Sequence, residues 1–290
     1  EFGSVEAIAT AKGELVEALA PGGRAILNAE DRLVAGMAER SAAPVLTWGF
    51  HEGTVRGTDL TLDDRARIGF DLVVPDGLTA LDGTPIPSGT FPVRPDLLGD
   101  HQAANVLAAL AGALAAGVDP AAAAASLDGA TLASGHRMEV LEAGGALVIN
   151  DAYNANPDSM RHALKTLAHL GRTRRTIAVL GEMLELGPDA ARLHDEIGRL
   201  AVRLNISQLY VVGDGAAPIH HGASLEGSFG GESEYVDTVD EALAVLERSV
   251  RPGDAVLLKS SRDAGLRWLA QPLVEALDRH AGTDQTGDDA

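Results

Sequence analysis

Residues 146–157 read Ala-Leu-Val-Ile-Asn-Asp-Ala-Tyr-Asn-Ala-Asn-Pro. The apolar run from Ala146 to Asn150 predicts a short buried strand, and Asn156-Pro157 predicts the start of a helix. Hydrogen-bonding side chains crowd the residues between them. An Asp there can accept both hydroxyls of a ribose, and Asn or Tyr can position a phosphate or a peptide group. The alternative is an Asn-rich turn that only caps the helix.

The same succession of strand and helix continues along residues 134–280. Further apolar strands are predicted at 176–181, 209–213 and 255–259, with helices between and after them. This alternation is typical of an α/β fold with a parallel, doubly wound, Rossmann-like sheet. Residues 214–234 are predicted as a Gly-rich connection, and residues 281–290 as a disordered polar tail.

Three polar segments follow strands of this predicted sheet: 150–156, 181–187 and 259–262. In open α/β sheets, ligands bind beyond the carboxyl ends of the strands. We therefore expect these segments to converge and to form a ligand site.

Residues 1–133 form a separate predicted domain. Strands are expected at 24–28 and 44–48, short antiparallel strands within 50–94, and an Ala-rich helix over about 100–116. A polar motif, Gly-Asp-His-Gln-Ala-Ala-Asn at 99–105, lies where that helix begins.

The composition limits the kind of partner. The 290 residues carry a net charge of −19, which disfavours nucleic acid and anionic membranes. No apolar run reaches the roughly 18 residues that membrane insertion needs. The absence of cysteine excludes disulfides and a Cys nucleophile and makes a cytoplasmic protein the simplest interpretation. Oligomeric state is not determined by the sequence.

Two stretches resemble signatures of the Mur ligase family of cell-wall amino-acid ligases. Asp151 to Met160 resembles D-[AS]-Y-N-A-N-P-x-S-M, and Gly181 to Gly187 matches G-[DE]-M-x-E-L-G, as in the family member that adds a dipeptide. The resemblance covers roughly residues 1–280. It implies the C-terminal part of the central, P-loop-type ATPase domain in 1–133, and the acceptor-binding C-terminal domain in 134–280.

The family chemistry implied is ATP-dependent amide-bond formation through an acyl phosphate, in peptidoglycan precursor synthesis. The implied substrates are UDP-N-acetylmuramoyl-tripeptide and D-alanyl-D-alanine, with ATP and Mg²⁺ as cofactors. By the same resemblance, catalytic roles fall on Lys12 and Arg137. Lys12 lies in an Ala-Lys-Gly-Glu segment similar to one whose lysine is carbamylated in related ligases and helps to hold Mg²⁺. Arg137, in His-Arg-Met-Glu, would approach the ATP phosphates.

The remaining implied roles concern ATP and the acceptor. Asn105 would contact adenine and His101 would also belong to the ATP-binding residues, although Gln102 stands where the family has Asn. Asp151 would bind the ribose, with Tyr153 beside the nucleotide. The acceptor residues implied are Asn154, Asn156, Lys259, Ser261 and Arg262, in a segment where Ser260 replaces the family's Gly.

Each assignment has a plainer alternative. Lys12 could be a solvated surface lysine, Arg137 could form an interdomain salt bridge, and Lys259 and Arg262 could be solvated charges at a strand end. For the whole chain, the alternatives are another Mur-type amino-acid ligase and a binding module that keeps the fold without catalysis.

These 290 residues contain no G-x-x-x-x-G-K-[ST] phosphate-binding motif. The family has that motif before the lysine segment, so we expect residue 1 to be a cut end and the chain alone to be inactive as a ligase. We also expect the 1–133 region alone to expose apolar surface.

Overall fold

A computed structural model of the chain describes residues 4–132, 134–227 and 231–285. The chain divides into two compact units. The first comprises Glu1–Asp63 and Arg67–Thr131, and the second comprises Asp64–Ala66 and Leu132–Ala290. The division between 131 and 132 lies beside the predicted domain boundary at 133/134, and residue 133 itself is outside the described residues.

The first unit is a five-stranded mixed sheet with helices against it. Strands β1 to β3 pair in parallel, and β3, β4 and β5 pair antiparallel in the order β1-β2-β3-β4-β5. The predicted antiparallel strands within 50–94 are therefore confirmed. The elements are α1 Val5–Glu17, β1 Ala25–Asn28, α2 Arg32–Ala35, β2 Val45–Gly49, β3 Val55–Leu62, β4 Ile68–Val74, β5 Gly89–Val93, α3 His101–Ala115 and α4 Pro120–Ala125.

Helix α3 provides much of the core of this unit. Leu107, Leu110 and Leu114 recur at helical spacing and are buried against apolar side chains of the sheet such as Phe70 and Leu72. Because most of the buried positions of this helix are Ala or Leu, it can pack closely on the strands. The predicted helix at 100–116 is confirmed within one residue at each end.

The second unit is a six-stranded sheet in the order β10-β9-β8-β11-β7-β6. Three of its inner strands, β7, β8 and β11, are buried along their whole length, as expected for parallel strands that are covered on both faces. The elements are β6 Glu139–Ala143, β7 Ala146–Asn150, α5 Pro157–Leu170, β8 Thr176–Leu180, α6 Ala190–Arg203, β9 Gln208–Val212, α7 Ala217–Glu226, β10 Ser233–Val236, α8 Val239–Ser249, β11 Ala255–Lys259 and α9 Ala270–Gln285.

Three predictions about this unit need correction. The sheet is not wholly parallel, because β6 pairs antiparallel with β7 through the tight Gly144-Gly145 turn. Residues 214–234 are not merely a connection, since α7 lies within them and the edge strand β10 begins at Ser233. The tail predicted at 281–290 is helical as far as Gln285, and residues 286–290 lie outside the described residues.

Helices α6 and α7 approach each other closely at two glycines. A Cβ built on Gly198 would overlap the carbonyl oxygen of Ile219, and one on Gly222 would overlap the carbonyl oxygen of Asp195. The obstacles are backbone atoms, which cannot rotate away as a side chain can. The two helices therefore depend on glycine at both positions.

We expect Gly198→Ala to lower the free energy of unfolding by about 1–3 kcal/mol, because the new methyl group forces α7 away from α6. Gly112→Ala in α3 is the matched control. Outside the adjacent backbone of its own helix, no atom of the described residues lies within 4 Å of the added Cβ. Helix propensity alone should therefore raise stability by up to about 1 kcal/mol. Urea unfolding of both variants measures the effect. Equal or greater stability of Gly198→Ala would contradict the packing described.

Candidate active site

The three polar segments predicted to converge do so at one edge of the second sheet. They follow β7, β8 and β11, and β11 lies between the other two strands. Backbone hydrogen bonds join them: the amide of Ser261 donates to the carbonyl of Glu182 at 2.9 Å, and the amide of Asp151 donates to the carbonyl of Leu258 at 2.8 Å. The predicted convergence is therefore confirmed.

A buried ion pair lies at the centre of this edge. The Nζ of Lys259 is 2.5 Å from Oδ2 of Asp151, and the Lys259 side chain is 1% exposed. The ammonium group also donates to the carbonyl oxygens of Asn154 at 3.1 Å and Asp151 at 3.4 Å. The alternative of a solvated Lys259 is therefore wrong. Its donors are already engaged, so a ligand carboxylate would have to displace one of these oxygens.

The second oxygen of Asp151 holds the turn that carries Arg137. Oδ1 accepts a hydrogen bond from the amide of Met138 at 3.1 Å, and the amide of Tyr153 donates to the carbonyl of His136 at 3.0 Å. His136 and Met138 both have left-handed backbone angles, with φ of 60° and 47°. Such angles are costly for residues other than glycine, so these contacts must stabilise the turn.

Two arginines flank the exposed ring of Tyr153. The guanidinium carbon of Arg137 is 4.2 Å from the ring centroid, and that of Arg262 is 5.9 Å away. Both arginines are exposed. This cationic and aromatic surface suits phosphate or carboxylate groups on a ligand, which a guanidinium can bind through two parallel hydrogen bonds. Within the described residues, Arg137 forms no salt bridge.

A small polar network behind this surface was missed by the sequence reasoning. The side-chain amide nitrogen of Asn150 lies 2.8 Å from Nδ1 of His136 and 3.2 Å from Oε2 of Glu139. Oε2 of Glu139 also accepts the amide of His136 at 3.0 Å. The sequence contained a signal for this network, because Asn150 ends a strand that was predicted to be buried and Glu139 ends the His-Arg-Met-Glu segment.

The loop after β8 is held on both sides. The amide of Met183 donates to Nε2 of His194 at 2.8 Å, and the amide of Leu184 donates to Oγ of Ser261 at 2.9 Å. Because Nε2 accepts, the other nitrogen of His194 carries the proton and donates to the carbonyl of Ala190 at 2.7 Å. His194 is buried and was also missed, because nothing in the sequence connects it with the loop.

The two asparagines assigned to the acceptor have local partners. Asn156 caps α5: its side chain accepts from the amide of Ser159 at 2.8 Å, and the Ser159 hydroxyl accepts from the Asn156 amide at 3.0 Å. The capping alternative is therefore confirmed for Asn156. Asn154 is exposed, and its side-chain oxygen contacts the next amide, that of Ala155.

In the first unit, Lys12 is exposed on α1 and makes no hydrogen bond or ion pair with the described residues. His101 is half-buried at the first position of α3. Asn105 is exposed one turn later, and its amide nitrogen donates to Oε1 of Gln102 at 3.1 Å. Gln102, which departs from the family pattern, thus contacts Asn105, the residue expected to bind adenine.

Comparison with known families agrees with this architecture. The family model for the Mur ligase middle domain matches residues 1–113, and the family model for the Mur ligase glutamate ligase domain matches residues 136–262. The chain belongs to the Mur ligase family. Among curated proteins it is similar to the UDP-N-acetylmuramoyl-tripeptide–D-alanyl-D-alanine ligase of Mycobacterium tuberculosis strain H37Rv, with 44% identity over 293 residues.

That alignment covers 94% of this chain and 55% of the mycobacterial protein, so the chain spans about half the length of the curated relatives it matches. Among solved structures, one of MurF from Acinetobacter baumannii superposes with a TM-score of 0.81 at 28% identity, covering 95% of this chain and 57% of that one. MurF ligase from Thermotoga maritima in complex with ADP has a TM-score of 0.75 at 21% identity, and the superposition covers 96% of this chain and 59% of that one.

None of the helices in the described residues has the length and apolarity that a bilayer crossing requires.

We expect Lys259→Met to lower the free energy of unfolding by about 3–5 kcal/mol, because it leaves the Asp151 carboxylate without its buried partner. The exposed Lys165 of α5 is the matched control, and Lys165→Met should change stability by less than about 0.5 kcal/mol. Adding Asp151→Asn to Lys259→Met should recover part of the loss. Urea unfolding measures all three, and a Lys259→Met variant as stable as the Lys165 control would show that the pair contributes nothing.

Proposed function

We propose that the protein carrying this chain is an ATP-dependent amide-bond ligase. It would add D-alanyl-D-alanine to UDP-N-acetylmuramoyl-tripeptide during peptidoglycan precursor synthesis, in the cytoplasm where ATP is available. The observation that carries the proposal is the arrangement around Tyr153: two exposed arginines flank its ring, and a buried lysine holds the carboxylate of Asp151 in the same loop. The 44% identity with the mycobacterial ligase supports the choice of substrates.

The proposed reaction has two steps. ATP transfers its terminal phosphoryl group to the carboxylate of the tripeptide, giving an acyl phosphate and ADP, which leaves with the electron pair of the broken bond. The neutral amine of D-alanyl-D-alanine then attacks the acyl carbon. Phosphate leaves with the electron pair of the broken bond, and the nitrogen loses a proton to the phosphate as the amide forms. Negative charge develops on the transferring phosphoryl group, so cationic side chains that face it stabilise the transition state.

The second unit would supply nucleotide and acceptor contacts. Arg137 is proposed to bind phosphate oxygens, and Asp151 and Tyr153 to contact the ribose. Arg262 is proposed to bind the carboxylate of the dipeptide, since it is exposed whereas Lys259 is enclosed. Ser261, Asn154 and Asn156 complete the proposed acceptor surface, with Ser261 also fixing the loop after β8.

The first unit would supply contacts with adenine and with a metal ion. Asn105 is proposed to contact adenine, and His101 is proposed to take part in binding ATP. Lys12 is exposed and has no partner among the described residues, so its amine is accessible to CO₂. As a carbamate, Lys12 would offer hard oxygen ligands of the kind Mg²⁺ prefers, and the metal would neutralise phosphate charge.

We expect Arg262→Ala in the full-length protein to raise the KM for D-alanyl-D-alanine about 10-fold or more, as for loss of a charged hydrogen bond. The KM for ATP should change far less. Arg248→Ala is the control. Arg248 is exposed near the end of α8, which leads to the start of β11 and therefore to the edge of the sheet opposite the proposed site. Steady-state phosphate release with each substrate varied in turn gives both constants. Equal effects of Arg262→Ala on the two constants would indicate a structural role.

Lys12→Ala in the full-length protein should abolish most of the turnover, because no carbamate can form. A small carboxylate such as formate or acetate should restore part of it by supplying the missing oxygens, while leaving the wild type unchanged. The measurement is phosphate release in buffers with and without added carboxylate. Full activity of Lys12→Ala in CO₂-free buffer would rule out the carbamate.

A further inference from the structure

The motif at 181–187 contains a carboxylate that the proposed contacts leave unused. Glu182 lies two residues after the end of β8, and its side chain is half-buried. Within the described residues, its carboxylate forms no hydrogen bond and no ion pair. A partly desolvated carboxylate without a partner is costly and is well suited to receive a cationic group from a ligand.

The backbone on both sides of this carboxylate is fixed. The carbonyl of Glu182 accepts the amide of Ser261 at 2.9 Å, and the next amide, that of Met183, donates to His194 at 2.8 Å. Because His194 and Ser261 are themselves buried, the Glu182 side chain extends from a rigid support. Such support is what a group needs if it is to position a ligand.

The space that the carboxylate occupies exists because residue 215 is glycine. A Cβ built on Gly215, in the loop after β9, would overlap the carboxyl carbon and both oxygens of Glu182. The φ of Gly215 is not in the left-handed region, so its backbone conformation does not require glycine. The absence of a side chain here makes room for the carboxylate.

Two other carboxylates along this edge of the sheet already have partners. Asp151 binds Lys259, and Asp214 accepts a hydrogen bond of 2.7 Å from the hydroxyl of Tyr235. This hydrogen bond raises the pKa of Tyr235 to about 12. Glu182 lies in the loop between theirs, and its charge has no partner in the part of the chain that the structure describes.

We propose that Glu182 binds the amino group of the acceptor dipeptide as an ammonium ion and accepts one of its protons before the amine attacks the acyl carbon, and so helps to select a dipeptide over a single amino acid; this rests on the ligase function proposed above. Glu182 follows β8 and Arg262 follows the neighbouring strand β11. Adjacent strands lie about 4.8 Å apart, and two extended residues span up to about 7 Å, against about 3.5 Å for one. A dipeptide can therefore place its amine at Glu182 and its carboxylate at Arg262.

The experiment measures the KM for D-alanyl-D-alanine and for ATP in the full-length protein. Glu182→Gln keeps the size of the side chain and removes its charge. We expect the KM for the dipeptide to rise about 10- to 100-fold, the effect of losing a charge-assisted hydrogen bond, with the KM for ATP nearly unchanged. Glu185→Gln is the matched control, because Glu185 lies in the same loop but is exposed, and it should leave both constants near the wild-type values.

A second variant tests the position of the carboxylate rather than its charge. Gly215→Ala keeps Glu182 but places a methyl group in the space of its carboxylate, so we expect a smaller rise in the KM for the dipeptide alone. Urea unfolding of each variant verifies that the fold is retained.

The remaining outcomes would contradict the proposed role of Glu182. An unchanged dipeptide KM in Glu182→Gln, or equal effects of Glu182→Gln and Glu185→Gln, would overturn the proposal. An equal rise in both KM values would assign Glu182 a structural role. If the wild type releases no phosphate with D-alanyl-D-alanine, the ligase function fails and this inference with it. An active wild type with a normal Glu182→Gln variant refutes the inference alone.

Discussion

The ammonium group of Lys259 is buried at the end of a central strand, and a charge in that position is tolerated only if it is paired and hydrogen-bonded. Asp151 supplies the opposite charge, and the carbonyl oxygens of Asp151 and Asn154 supply further acceptors. The loop after β7 must therefore curl around the ammonium group. Its course, and with it the position of Tyr153, follows from this requirement.

The influence of the pair extends beyond that loop. The oxygen of Asp151 that does not face Lys259 holds the amide of Met138, and so stabilises a turn with two left-handed residues. Arg137 lies between those two residues and stacks on Tyr153. One ion pair thus connects strand β11, the loop after β7 and the turn before β6, which are distant in sequence. Replacing Lys259 or Asp151 would therefore disturb the surface that the two arginines form, and it would also lower the free energy of unfolding.

The polar groups of this edge fall into two sets. Buried groups such as Lys259, Ser261 and His194 have their hydrogen-bonding partners within the protein, and they fix the loops. Exposed groups such as Arg137 and Arg262 face solvent and are available to a ligand. Binding sites need this division, because a side chain positions a ligand well only when the backbone that carries it is rigid. The resemblance to the family had placed members of both sets together as ligand contacts.

The sequence by itself determined the α/β class, the family and most of the second sheet. Strands β7 and β11 were predicted at their observed bounds because unbroken apolar runs between turn residues can be buried on both faces. Helix α7 and strand β10 were missed because their segment is rich in Gly, His and Ser and has little periodic apolar content. The convergence of three loops was predictable, since parallel strands end at a common edge. Only the tertiary structure could decide which charges on that edge are enclosed: Lys259 and Asp151 are 108 residues apart, and burial is set by what packs around a side chain, which local sequence does not encode.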